Sequence, residues 1–208
     1  FSLRKTAFTL AEVLITLGII GVVAALTIPT LMVNHRRKVT ATRLKQSYNI
    51  LYNAIKASEA ENGSWLYWDA PEQGGNTKEF AEKYILPYLK YTDIGEQSVF
   101  ATSEGEDYYI KLVNGTIVGL HMGACMDFLV DINGEKAPNK FGYDQFDFLL
   151  NVKQSNASSG YPKEFGPKGR DLPRNNLKIQ CQSSDTKKCA ALIELDGWEI
   201  AKDYPHRI

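Results

Sequence analysis

Hydrophobic and polar positions divide the chain into three regimes. From Phe8 to Val33 the sequence FTLAEVLITLGIIGVVAALTIPTLMV carries a single charged residue, Glu12. An apolar run of about 20 residues is long enough to cross the hydrocarbon core of a bilayer as a helix. Beyond it the pattern becomes amphipathic. Leu44, Tyr48, Leu51 and Ile55 recur at i, i+4, i+7 and i+11, one stripe of a helix, while Lys45, Gln46, Asn49 and Lys56 occupy the other faces. Asn62-Gly63 ends the pattern, and glycine suits a left-handed cap. One helix is therefore predicted from Phe8 to Glu61. Its first half (8–33) is apolar all round, and its second half (34–61) packs on a head formed by residues 62–208.

The head mixes short elements. Trp65, Leu66, Tyr67 and Trp68 form an aromatic cluster that reads as core sooner than as a ligand-stacking surface. PEQGGN (71–76) is a loop. Residues 77–91 are predicted to be a short helix, with Phe80, Tyr84 and Tyr88 at four-residue spacing and Pro87 limiting its end. Residues 93–106 look irregular. The runs 107–113 and 116–122 flank Asn114-Gly115, a strong short-range hairpin signal. Further strands are expected at 126–132 and 145–152. Residues 153–180 read as a long exposed loop. Residues 190–195 are either a short helix capped by Asp196-Gly197 or part of a hairpin through the same pair, and 198–200 close the sheet or the core. A long helix on one side of an antiparallel sheet of about four strands is α+β architecture.

Composition narrows the function. Lys and Arg number 24, as do Asp and Glu, so the net charge is zero. The basic excess that drives general nucleic-acid binding is missing, and no nucleic-acid partner is predicted. No P-loop, GxSxG, HExxH or paired CxxC motif occurs, and His35, His121 and His206 lie in separate elements, so the chain does not read as an enzyme. Asp131, Asn133, Glu135 and Asp144 offer the hard oxygen donors that calcium takes. However, Gly134 follows Asp131 too closely for an EF-hand, and a turn built on Asn133-Gly134 and Pro138 is the favoured reading of 131–144. No cofactor is otherwise expected. Three cysteines, Cys125, Cys181 and Cys189, leave at least one unpaired in a monomer. Cys181 and Cys189 bracket QSSDTKK and can close a disulfide outside the cytoplasm, or stay reduced and buried. Arg4 and Lys5 make residues 1–7 a basic lead-in to the apolar run, as in an export signal. The run is too long for an ordinary cleaved signal, which points to a retained anchor.

Residues 5–33 resemble the prepilin-type N-terminus of type IV pilins and type II secretion pseudopilins. The matches are Lys5, the Ala7–Phe8 junction, Phe8-Thr9-Leu10, Glu12, Gly18, Gly21 and Pro29. Counted from Phe8, Glu12 is fifth, Gly21 fourteenth and Pro29 twenty-second, the places those residues hold in the family. A start at Phe1 would put Lys5 where the acid belongs. Ala7 replaces the usual glycine before the cut and is also small. The resemblance implies cleavage between Ala7 and Phe8 by a prepilin peptidase, N-methylation of Phe8, and a lollipop-shaped subunit with a C-terminal disulfide-bounded region, here Cys181–Cys189. It also implies that Glu12 pairs with the terminal amine of a neighbouring subunit. Gly21 and Pro29 would let the helix kink as it packs in a filament, although such residues are simply tolerated in membrane helices as well. Implied partners are identical or related pilin subunits, an inner-membrane assembly platform and lipid. Charge counting (His35-Arg36-Arg37-Lys38, Arg43 and Lys45 against Arg4 and Lys5) would place the head in the cytoplasm. The resemblance places it outside, first on an inner-membrane single-pass anchor and then on a periplasmic or extracellular filament, and we follow it. The alternative is a membrane-anchored minor pilin or adhesin whose head contacts a ligand through Trp65, Trp68 or the 153–180 segment.

Overall fold

The computed structural model describes residues 9–96, 108–152, 164–183 and 187–208. Helix α1 runs unbroken from Leu10 to Asn62, through Pro29. At about 1.5 Å per residue its 53 residues form a rod roughly 80 Å long. Gly63 ends it at φ 75°, ψ −178°, where a side chain would be strained. The predicted stripe is the buried face. Leu44 and Leu51 are fully buried, and Ile55 nearly so, joined by Ala41, Ser47, Ala54 and Ser58. Burying three such aliphatic side chains contributes on the order of 5–9 kcal/mol before entropy is counted.

A 3₁₀ turn over Trp65–Tyr67 follows. The segment expected to be one helix over 77–91 changes pitch twice: α2 covers Lys78–Phe80, a π turn Ala81–Ile85, and a 3₁₀ turn Leu86–Tyr88. Phe80, Ala81, Tyr84, Ile85 and Leu86 are all buried; at about 100° per residue the first four would share one face of a regular helix and Leu86 would fall off it. Among the described residues the sheet is an antiparallel meander of six strands in sequence order: β1 Tyr91–Gly95, β2 Tyr108–Leu112, β3 Ile117–Met122, β4 Met126–Asp131, β5 Gln145–Leu150 and β6 Gly166–Pro167. The four expected strands are β2 to β5. β1 falls partly in the stretch read as irregular, and β6 falls inside 153–180.

That last stretch differs most from expectation. Besides β6 it holds most of helix α3, Arg174–Gln182, which carries Cys181. Helix α4, Cys189–Leu195, settles the other ambiguity in favour of a helix before Asp196-Gly197. Ile200 and Tyr204 close the core, with Trp198 packed against it, and none of them adds a strand.

The Asn-Gly hairpin forms with a three-residue connection. Leu112 N donates to Thr116 O at 2.8 Å, and Gly115 sits at φ 84°. The Asn114 side chain accepts from Thr116 N at 3.0 Å. In the core, Met126, Phe128 and Val130 of β4 and Phe146, Phe148 and Leu150 of β5 alternate inward with the period of a pleated strand. Ring stacking seats α1 on this face. Tyr48 lies over Phe148 and Phe165, with ring centroids 5.9 Å apart in each case, and 5.1 Å from Trp198. The Tyr48 hydroxyl accepts from Arg170 Nη2 at 3.0 Å, while Arg170 Nε donates to Glu194 at 2.8 Å.

Candidate functional site

Among the described residues nothing covers the first half of α1. Leu10 is 77% exposed and Leu26 is 73% exposed, and the aliphatic side chains between them are bare on every face. Leu10–Val33 spans about 36 Å at 1.5 Å per residue, against a hydrocarbon core of about 30 Å. This helix is long and apolar enough to cross a membrane. Thr16 and Thr27 return their hydroxyls to Val13 O and Val23 O, at 3.0 and 2.9 Å, so neither presents an unsatisfied donor to an apolar medium. An added Cβ at Gly18 or Gly21 would meet nothing within 4 Å, so within the monomer neither glycine makes room for a neighbour.

Glu12 opens the helix as half of a capping box. Its backbone N–H donates to Thr9 Oγ1 at 3.3 Å, and its Oε2 accepts from both Thr9 N and Thr9 Oγ1 at 2.8 Å. Among the described residues Oε1 accepts no hydrogen bond. The carboxylate is therefore held at the start of an apolar rod with one oxygen committed and one open. Sequence reasoning singled out Glu12 from its distance to Phe8 and passed over Thr9. The Thr-x-x-Glu spacing of a capping box was present to be read. Ala7 and Phe8 lie outside the described residues. Pro29 sits in continuous helix, with Gly21 two turns before it.

The other candidates occupy the head, away from α1's bare half. Cys181 and Cys189 form a disulfide that joins the end of α3 to the start of α4. Beside it, His206 Nε2 lies 2.8 Å from Cys181 O. Cys125 is a free, buried cysteine whose thiol burial pushes up to about 12, far from a reactive thiolate. Trp65 and Trp68 are buried, and Trp68 stacks on Tyr84 with centroids 4.6 Å apart, so these rings build core.

The 131–144 loop brings Asp131, Asn133 and Asp144 together and sets Glu135 apart, turned to Lys111 at 3.2 Å. Asp144 is consumed by its own loop. Its oxygens accept from Asn139 N at 2.9 Å, Lys140 N at 2.7 Å and Asn133 Nδ2 at 3.2 Å. Asp131 accepts from Asn133 N and Gln145 Nε2, each at 3.1 Å, but burial outweighs these bonds and pushes its pKa up to about 6. Both carboxylates thus accept from N–H groups of the turn itself.

A family model described as a family of unknown function (DUF6613) matches residues 30–208. The match begins just after Pro29 and takes in the second half of α1 and the whole head. No curated protein and no solved structure matches the chain.

Proposed function

We propose that this chain, which belongs to the DUF6613 family, is a membrane-anchored structural subunit, not an enzyme, that assembles through α1 into a helical pilus or pseudopilus. The observation that carries the reading is the form of α1: a bare apolar half with one carboxylate at its start, continuous with a half sunk into the head. Apolar surface of that extent needs lipid or neighbouring helices to cover it. The prepilin-type pattern at residues 5–33 supplies the order of events. A prepilin peptidase cuts between Ala7 and Phe8, and the new Phe8 amine is methylated. The subunit waits in the inner membrane with its head outside the cytoplasm, and an assembly platform then draws it into the polymer.

Within the polymer Glu12 pairs with the Phe8 amine of a neighbouring subunit. Two opposite charges brought together in a medium of low dielectric offset part of each other's desolvation. A subunit out of step leaves a buried acid unpaired, so the pair also fixes axial register.

The test separates this role from capping. Glu12→Gln keeps an oxygen that can accept from Thr9, so the capping box survives, but it removes the charge. Both Glu12→Gln and Glu12→Ala are expected to insert normally and to give no filaments by electron microscopy. Filaments from Glu12→Gln at the native level would reduce Glu12 to a cap. Sequencing of the mature N-terminus is expected to begin at methylated Phe8, and retention of residues 1–7 in the assembled form would overturn the processing scheme.

A further inference from the structure

The underside of the head, where α1 leaves it, carries a ring of cations. A cleft of about 670 Å³ lies between residues 35–43 of α1, the 132–144 loop and the C-terminal residues. Arg36, Arg43, Lys140 and Arg207 line it, all four exposed. None of them pairs with a carboxylate among the described residues, whereas Lys56, Lys78, Lys83, Lys111, Arg170 and Arg174 each face one. Among the described residues Asp144 is the only acidic side chain in the lining, and its oxygens are taken by loop N–H groups. Val39, Ile132 and Pro138 supply apolar wall.

A second cleft of about 440 Å³ opens on the opposite side of α1, with Arg37, Lys38 and Lys202 beside Glu199. There Arg37 Nε is buried and has no hydrogen-bond partner among the described residues. At 100° per residue, positions 36 and 43 point one way and 37, 38 and 41 the other, so the two clefts girdle the helix.

Depth selects the ligand. Arg36 lies three residues past Val33, about 4.5 Å along the axis, and Arg43 about 15 Å. The headgroup layer is about 5–7 Å deep on each side of the hydrocarbon core. The inner end of this basic, apolar-walled cleft, at Arg36, lies at that level and meets phosphodiesters whose diacylglycerol continues into the bilayer, while Arg43 reaches down from above it. Arginine grips phosphate oxygens in pairs, and lysine adds a point charge. We propose that this cleft binds the headgroup of an anionic glycerophospholipid through Arg36, Arg43, Lys140 and Arg207. The inference rests on reading α1 as a membrane span. It does not depend on assembly into a polymer.

The test titrates the full chain, in non-ionic detergent micelles, with short-chain phosphatidylglycerol, phosphatidylcholine and inorganic phosphate, read by native mass spectrometry. Phosphatidylglycerol is expected to bind saturably and at least tenfold more tightly than phosphatidylcholine. Lys140→Gln with Arg207→Gln, both at exposed positions and checked for an unchanged melting midpoint, is expected to weaken it roughly thirtyfold, as loss of two interfacial cations implies. Equal binding of the two lipids, or an unaltered affinity in the double variant, overturns the site. Displacement of phosphatidylglycerol by an equal concentration of inorganic phosphate would make it a free-anion site and overturn the lipid assignment. Carbonate extraction of the chain from phosphatidylcholine vesicles distinguishes the two layers of the inference. A chain that resists extraction yet fails the titration loses the cleft alone, and one that is extracted loses the anchor together with the cleft.

Discussion

Asp131 is a buried acid whose environment opposes its charge. Its carboxyl titrates near 6 in the fold against 3.8 in an unfolded chain, because burial disfavours the anion. The folded state therefore binds more protons than the unfolded state between those values. The stability Asp131 contributes is present below about pH 4 and is lost as pH rises through about 6. Asp131→Asn keeps an acceptor for the Asn133 amide and removes the charge. It is expected to flatten the melting midpoint across this window and to stabilise the protein by about 1 kcal/mol at pH 8. A steeper fall with pH in the variant would show that the charge is needed. Glu12 is a different case. Its spacing to Phe8 singled it out, yet the hydrogen bonds that aim it come from Thr9, three residues back, which no hydropathy pattern marks.

At the scale of elements, legibility followed amphipathicity. The α1 stripe and the inward alternation of β4 and β5 were readable because each buries one repeating face. β1 was not, because four of its five residues are exposed and it pairs only along the sheet edge. α3 escaped for a related reason. It buries only Leu177 and Cys181, and its other aliphatic, Ile179, is 69% exposed. Two buried positions four apart do not stand out in a polar stretch. α3 is instead tied from outside. Arg174 donates to Asp196 at 2.6 and 2.8 Å and to Asp203 at 2.9 and 3.0 Å, and Cys181 joins it to α4. Closing so short a loop is worth about 2.5 kcal/mol in the chain-entropy account. Cys181→Ser with Cys189→Ser is expected to lower the melting midpoint by about 5–10 °C and to leave membrane insertion unchanged. An unchanged midpoint would mean that the Arg174 pairs hold α3 alone. The cleft beneath the head lay beyond sequence reading altogether. Arg36, Arg43, Lys140 and Arg207 come from three distant parts of the chain, and only the fold brings them to one cleft.

For the whole molecule, the lack of a break in α1 matters beyond anchoring. No hinge separates the bare apolar half from the half clamped by Tyr48, Leu44 and Leu51. The rod therefore acts as a drive shaft, and the compass bearing of the head is set by the helical phase of the segment below it. Each inserted residue turns the head by about 100° and lifts it about 1.5 Å. Two alanines added after Met32 would swing the head by about 200° for a rise of about 3 Å, whereas seven would return it to within about 20° while raising it about 10 Å. If neighbouring heads in a polymer must meet on fixed faces, the shorter insertion is the more harmful, and filament yield should fall further with two residues than with seven. A yield that tracked insertion length instead would mean that height governs packing and bearing does not.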